Sequence, residues 1–184
     1  EKARRSTGGL PYDAAERSAL EVSDEERLAV YEDAWSQGGF KFLFGSFSDI
    51  SLDRRANDTA SEFIRSKIRE IVKDPDVAEK LVPVDHPFSS KRPLIDTNYF
   101  DTYNRDNVTL VDIRHNPIAE INPTGIRLED GAQHDLDIIV FATGFDAITG
   151  AYDRIDIRGV DGQRLKDKWR DSPSTFYGVL SHGF

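Results

Sequence analysis

Cysteine is absent from all 184 residues, and so is methionine. The first absence excludes disulfides, thiolate metal sites and cysteine nucleophiles. Apolar runs are short, and none approaches the ~20 residues that a membrane-spanning helix needs. Cations are the minority, 24 Lys and Arg against 33 Asp and Glu, for a net charge of −9. That balance argues against nucleic acid and anionic membranes as partners, because both are bound through clustered cations. No GxGxxG or P-loop is present, and GSFSD (45–49) lacks the second glycine of a nucleophile elbow. His86, His115, His134 and His182 are far apart, without a second ligand at metal spacing, so no metal site is expected. No signal peptide stands at the start. These features describe a soluble, cytoplasmic protein. With Glu1 in first place and GVLSHGF at the end, the sequence reads as an interior piece of a longer chain.

Hydrophobic residues make up 38% and aromatics 10%, enough for a packed core. The first 22 residues are polar, carry Gly8-Gly9 and Pro11, and read as a loop. Ser23-Asp24-Glu25-Glu26 is a capping box, in which Ser23 accepts from the third helical amide and Glu26 reaches back. The spacing of Leu28, Val30, Tyr31, Ala34 and Trp35 predicts a helix over 24–36, ended by Gly38-Gly39. FKFLFGSF (40–47) reads as irregular or short helix. Ala60, Phe63, Ile64, Ile68, Ile71 and Val72 predict a second capped helix over 59–73. A helical turn is expected over 77–81. This half of the chain reads as an ordinary helical packing layer.

After His86-Pro87 the texture changes. Short apolar segments follow one another: RPLID (92–96), VTLVDI (108–113), IAEI (118–121), GIRLEDG (125–131) and HDLDIIVFAT (134–143). Asn122-Pro123 and Asp130-Gly131 are turn signals between strands. The continuous run 138–142 has the pattern of a buried central strand. The tail repeats the style in IDIRG (155–159), LKDKW (165–169) and FYGVL (176–180). Structure rich in β is therefore expected over 92–143, with 138–142 buried.

Two features rise above background. One is Thr143-Gly144, on which the apolar run emerges. A glycine there allows backbone to approach a ligand with no side chain in the way. The other is Lys91-Arg92, adjacent cations after a Pro-Phe-Ser-Ser loop. An ordinary strand end and a solvated cation pair are the plain alternatives.

WSQGGF (35–40), DHPFSSKRPL (85–94), YNRDNV (103–108), DIIVFATGFDAITG (137–150) and IDIRGVDGQRLKDKW (155–169) occur in this order. In that combination the chain resembles the flavin-dependent Baeyer–Villiger monooxygenases, from about residue 20 onward. The resemblance implies an α/β fold: a fragment of a flavoprotein with two dinucleotide-binding domains, for FAD and NADP, in which a helical subdomain precedes a β-rich segment. It implies that 1–88 are helical subdomain, 89–138 NADP domain and 139–184 FAD domain. Thr143, Gly144 and Asp146 then mark the crossing into the FAD domain and take a cofactor-binding role.

The resemblance assigns Lys91 to the 2′-phosphate of NADPH. It assigns Arg92 to catalysis, as the fixed cation facing charge that develops on oxygen. A compact ammonium suits a phosphate, whereas a guanidinium keeps its charge and offers several donors. The implied reaction inserts one atom of O2 beside a ketone carbonyl, giving an ester or lactone. The family's glycine-rich fingerprints and its His- and Trp-containing fingerprint are not in this sequence. The chain alone is accordingly expected to be inactive and to retain no FAD. A related flavoprotein that oxygenates nitrogen or sulfur, and a truncated non-catalytic fragment, are the alternatives.

Overall fold

A computed structural model describes residues 11–144, 146–147 and 149–184. Gly8-Gly9 of the expected leading loop, and Phe145 and Ile148 of the DIIVFATGFDAITG stretch, lie outside the described residues. The chain divides into two compact units, one ending at Pro117 and the other starting at Ile118. Among the described residues, no helix is long and apolar enough to cross a membrane.

The first unit is helical: α1 (Asp24–Gln37), α2 (Lys41–Gly45), α3 (Arg54–Ile71), α4 (Pro75–Leu81) and α5 (Tyr99–Thr102). Helix α1 starts where the capping box places it, with Ser23 Oγ accepting from Glu26 N at 3.2 Å. The Glu26 carboxylate accepts from Arg17 Nη1 at 2.7 Å. Gly38 caps the other end, its N–H donating to Trp35 O. Of the apolar residues expected to face inward, Tyr31 and Ala34 are buried and Leu28 is exposed.

Helix α3 begins at Arg54, earlier than residue 59, because Asp53 caps it by accepting from Arg55 N at 2.8 Å. The Arg55 side chain also bonds Asp53, and these bonds hold that carboxyl at a pKa of about 2. Helix α4 is capped by Asp74, with Pro75 in its first turn.

Two clusters form the core of this unit. In the larger, Phe42 stacks on Phe63 at 5.4 Å, and Tyr31 meets Phe47 edge-on at 5.4 Å. Such ring pairs add to simple area burial. The Tyr31 hydroxyl bonds Thr59 Oγ1 at 2.8 Å, which satisfies the one polar atom of that ring. In the smaller, Ile68 and Val72 pack with Ala78 and Val82. Asn104 fastens the end of α3: its Nδ2 donates to Ile71 O at 2.7 Å and its Oδ1 accepts from Lys73 N at 2.8 Å. Otherwise orphaned groups at a helix end are thereby paired.

The second unit carries a three-stranded antiparallel sheet in the order β1 (Ile118–Asn122), β2 (Gly125–Leu128) and β3 (Gln133–Asp135). Asn122 shapes the β1–β2 turn by accepting from Thr124 N at 3.1 Å and Gly125 N at 3.0 Å. Glycine is required at 125, since a Cβ would stand 2.0 Å from His134 O across the sheet. Helices α6 (Gly150–Asp153) and α7 (Leu165–Lys168) follow.

The expectation of helices followed by β structure holds, but several strand readings do not. Residues 138–142 belong to no strand. Ile138, Val140 and Phe141 are 79%, 83% and 69% exposed, not buried. A central strand needs a ladder on each edge, and β3 stops at Asp135. RPLID and VTLVDI are irregular, and LKDKW turns as helix α7. Arg158–Arg164 and Phe176–Leu180 are isolated bridges. Continuous apolar patterning gives a buried strand only where pairing partners cover it, and among the described residues 138–142 pair with no strand.

Asn57 is the polar hub of the first unit. It is buried, donates from Nδ2 to Ile50 O (2.7 Å) and Phe88 O (2.9 Å), and accepts at Oδ1 from Phe88 N (3.0 Å). Asn57→Ala removes this partner from Ile50 O and Phe88 O and leaves Phe88 N only its longer bond to Ser61 Oγ, at a cost of about 1–3 kcal/mol for each buried group left unpaired. Urea unfolding should show that loss, with faster amide exchange at Phe88. Unchanged stability would contradict the role.

Candidate functional site

In the first unit, α1, α2 and α3 frame a groove of about 750 Å³ with the segment 81–100. Trp35, Leu43, Ile64, Ile68, Leu81 and Phe100 supply apolar lining, and His86, Lys91, Arg92 and Asp96 supply polar and charged groups on one segment. A site of this size, apolar with a few polar groups, suits a small organic ligand.

The loop bearing the cations is fixed from below. Phe88 N is shared between Asn57 Oδ1 and Ser61 Oγ, at 3.0 and 3.3 Å, and Phe88 packs edge-on against Phe42 at 5.5 Å. Three residues beyond this anchor stands Lys91. Its Nζ lies 3.2 Å from Asp85 Oδ2, and its side chain is 66% exposed. Arg92 is also exposed, and its guanidinium lies over the Phe40 ring at 5.9 Å. Phe40 follows the Gly38-Gly39 turn that ends α1, so WSQGGF delivers a ring to the arginine. A cation over an aromatic face contributes ~0.5–1 kcal/mol at an exposed position.

Asp85 joins two partners. His86 Nδ1 lies 2.5 Å from its Oδ1, and Lys91 Nζ reaches Oδ2. The His86 bond, and then the Lys91 bond, hold the Asp85 carboxyl at a pKa of about 2. Composition and spacing single out neither Asp85 nor Phe40, and His86 read as a plain loop histidine. The available signal was Pro87 with Ser89-Ser90, a turn-forming set between Asp85 and Lys91.

Thr143, Gly144 and Asp146 belong to the second unit. Thr143 and Gly144 are exposed. Gly144 has φ +83°, a conformation that favours glycine, and nothing lies within 4 Å of the place a Cβ would take. Asp146 stands 3.8 Å from Arg154 in an exposed ion pair and packs against Gly150, where a Cβ would meet Asp146 Cβ at 2.1 Å. Among the described residues no group of His and carboxylates could hold a metal ion.

The depressed Asp85 pKa carries a pH dependence. Its folded value lies below the ~3.9 of an unperturbed aspartate. The stabilisation is therefore present above about pH 4 and is lost as pH falls through about 2. Carboxyl-detected NMR should place its midpoint near 2, and Lys91→Met should move it upward. A midpoint near 3.9 in the unaltered protein would contradict the two-donor geometry.

No family model matches the chain. Curated relatives do match it, among them these three. A 2-oxo-Δ3-4,5,5-trimethylcyclopentenylacetyl-CoA monooxygenase of Pseudomonas putida is 50% identical over 95% of this chain and 32% of its own length. A Baeyer–Villiger monooxygenase of Pseudooceanicola batsensis is 48% identical over 98% of this chain and 33% of its own. A phenazine N-monooxygenase of Lysobacter antibioticus is 47% identical over 98% and 33%. The chain thus spans about a third of the length of the curated relatives it matches. Its fold superposes on the crystal structure of OTEMO in complex with FAD and NADP with a TM-score of 0.94, at 48% identity, over 99% of this chain and 34% of that one. In sequence and in fold, this chain is homologous to about one third of a Baeyer–Villiger monooxygenase.

Proposed function

We propose that the protein carrying this chain is an FAD-containing, NADPH-dependent Baeyer–Villiger monooxygenase, which inserts one oxygen atom from O2 beside a ketone carbonyl to give an ester or lactone. The observation that carries the reading is the Lys91-Arg92 pair, held on an anchored loop beside an apolar groove. The relatives' shared monooxygenase character supports it. A cytoplasmic location and a small-molecule ketone partner are part of the same reading. So is the division into helical, NADP and FAD segments at about 88 and 138.

The residues present fit the two cofactors in chemistry. Lys91 is an exposed ammonium, able to exchange its carboxylate for a phosphate. Gly144 leaves open space beside backbone in a left-handed turn, as close approach of a large ligand requires. Lys91 would hold the 2′-phosphate of NADPH, and Thr143, Gly144 and Asp146 would lie toward FAD. When bound, the flavin supplies oxygen activation and the nicotinamide supplies the hydride.

The chain's own contribution is positioning and charge. The apolar lining offers water few partners on one side of the groove, and charge interactions strengthen where water is excluded. Arg92 stays cationic throughout and presents a fork of donors. Its task in this reading is to stabilise negative charge that appears on oxygen as the ketone is attacked. Phe40 offers the guanidinium a weak resting contact. A second reading, oxygenation of a heteroatom, draws on the similarity to the phenazine N-monooxygenase. Product analysis with a cyclic ketone and with an N-heteroaromatic compound separates the two.

Lys91→Ala should weaken use of NADPH by about 1.5–3 kcal/mol, one charge-assisted contact, and leave NADH nearly untouched. Equal loss with both cofactors would make Lys91 structural. Arg92→Ala should leave FAD bound while ester yield per NADPH consumed falls by at least ~100-fold, the scale of losing one preorganised oxyanion donor. Hydrogen peroxide should take the place of product. Near-normal coupling in that variant would remove Arg92 from catalysis.

A further inference from the structure

The loop 85–91 closes on its own ion pair. Pro87 O accepts from Ser90 N at 3.2 Å and from Ser90 Oγ at 2.8 Å, and Ser89 takes φ +69°. This tight turn, anchored at Phe88 by Asn57, brings Lys91 back to face Asp85. The Asp85 carboxylate then uses both oxygens, Oδ1 on His86 Nδ1 and Oδ2 on Lys91 Nζ. The cation assigned to the phosphate is thus occupied by a carboxylate of its own loop.

That arrangement has a consequence for ligand choice. A phosphate that takes Lys91 competes with Asp85 Oδ2 for the same ammonium. A ribose hydroxyl, which makes no such demand, leaves the pair intact. Both members are about two-thirds exposed, 66% and 67%, so solvent screens their attraction. A weak pair of this kind yields to a doubly charged phosphate and lowers its affinity only severalfold. The displaced carboxylate remains on His86, close enough to repel the arriving anion.

We propose that Asp85 is a displaceable counter-anion for Lys91, a specificity-determining residue that sets how tightly the 2′-phosphate is held. The proposal rests on the reading of Lys91 as the phosphate-binding residue. In physical terms Asp85 holds the ammonium in place while the site is empty and competes for it when the cofactor arrives. It keeps the phosphate contact moderate, so that oxidised cofactor can leave.

The test uses two probes in the intact, FAD-loaded protein: adenosine 2′,5′-bisphosphate and adenosine 5′-monophosphate, which differ only in the 2′-phosphate. Calorimetric Kd values are compared at one fixed salt concentration. Asp85→Asn should tighten the bisphosphate about three- to tenfold and leave the monophosphate within about twofold. Asp85→Glu keeps the competing charge and should stay near the unaltered protein. The monophosphate affinity reports at once whether a variant is folded. Unchanged or weaker bisphosphate binding in Asp85→Asn would overturn the proposal, provided Lys91→Ala abolishes the preference for the bisphosphate. If Lys91→Ala leaves that preference intact, the phosphate reading itself fails and the proposal falls with it.

Discussion

Asn57 is a polar side chain in the interior of a helical layer, and much of the first unit depends on it. Its carboxamide bonds the backbone at Ile50 and at Phe88, two segments that share no secondary structure. Ser61, one turn along α3, donates to the same Oδ1 at 3.1 Å and shares the Phe88 amide. Buried backbone groups outside helices and sheets must find such partners. Here one side chain satisfies them and, in doing so, fixes where the loop leaves the core. Phe88 supplies the apolar half of the anchor by packing on Phe42, which itself stacks on Phe63.

Placement of the cations follows from that anchor. Lys91 and Arg92 stand only a few residues beyond Phe88, so their backbone inherits its position. Their side chains are then held by single weak contacts, Asp85 for the lysine and Phe40 for the arginine. Such a division suits a binding site: a rigid backbone with side chains that exchange partners at low cost. In a chain with net charge −9 the two cations stand on one segment beside the carboxylates of Asp85 and Asp96. Acidic residues farther than roughly 10 Å from the pair are largely screened by salt.

The helical half was legible in the sequence because its signals are local. The Ser23 cap, the Gly38 stop and the apolar spacing of α3 each act within a few residues. The start of α3 was misplaced because Asp53 caps earlier than the apolar pattern begins. The sheet half was legible only where turns specify it, at Asn122 and around Gly131, where Gly131 N bonds Leu128 O at 3.0 Å. Residues 138–142 carry the apolar pattern of a strand, but a pattern does not supply a neighbour. At the candidate site, Lys91 and Arg92 stood out through motif resemblance. Asn57, Asp85 and Asn104 did not, because their roles are contacts across 31, 6 and 33 residues of sequence. Asn104 lies in the YNRDNV stretch, and its bonds to the end of α3 give that stretch a structural reason.

The account stands or falls on whether the anchored loop delivers its cations to a bound cofactor. A crystal structure of the protein carrying this chain, with FAD and NADP bound, measures that directly. The expected result is Lys91 Nζ within about 3 Å of a 2′-phosphate oxygen, with the Asn57–Phe88 bonds intact and Arg92 facing the nicotinamide and flavin. A 2′-phosphate bound by other residues, with Lys91 still on Asp85, would contradict it.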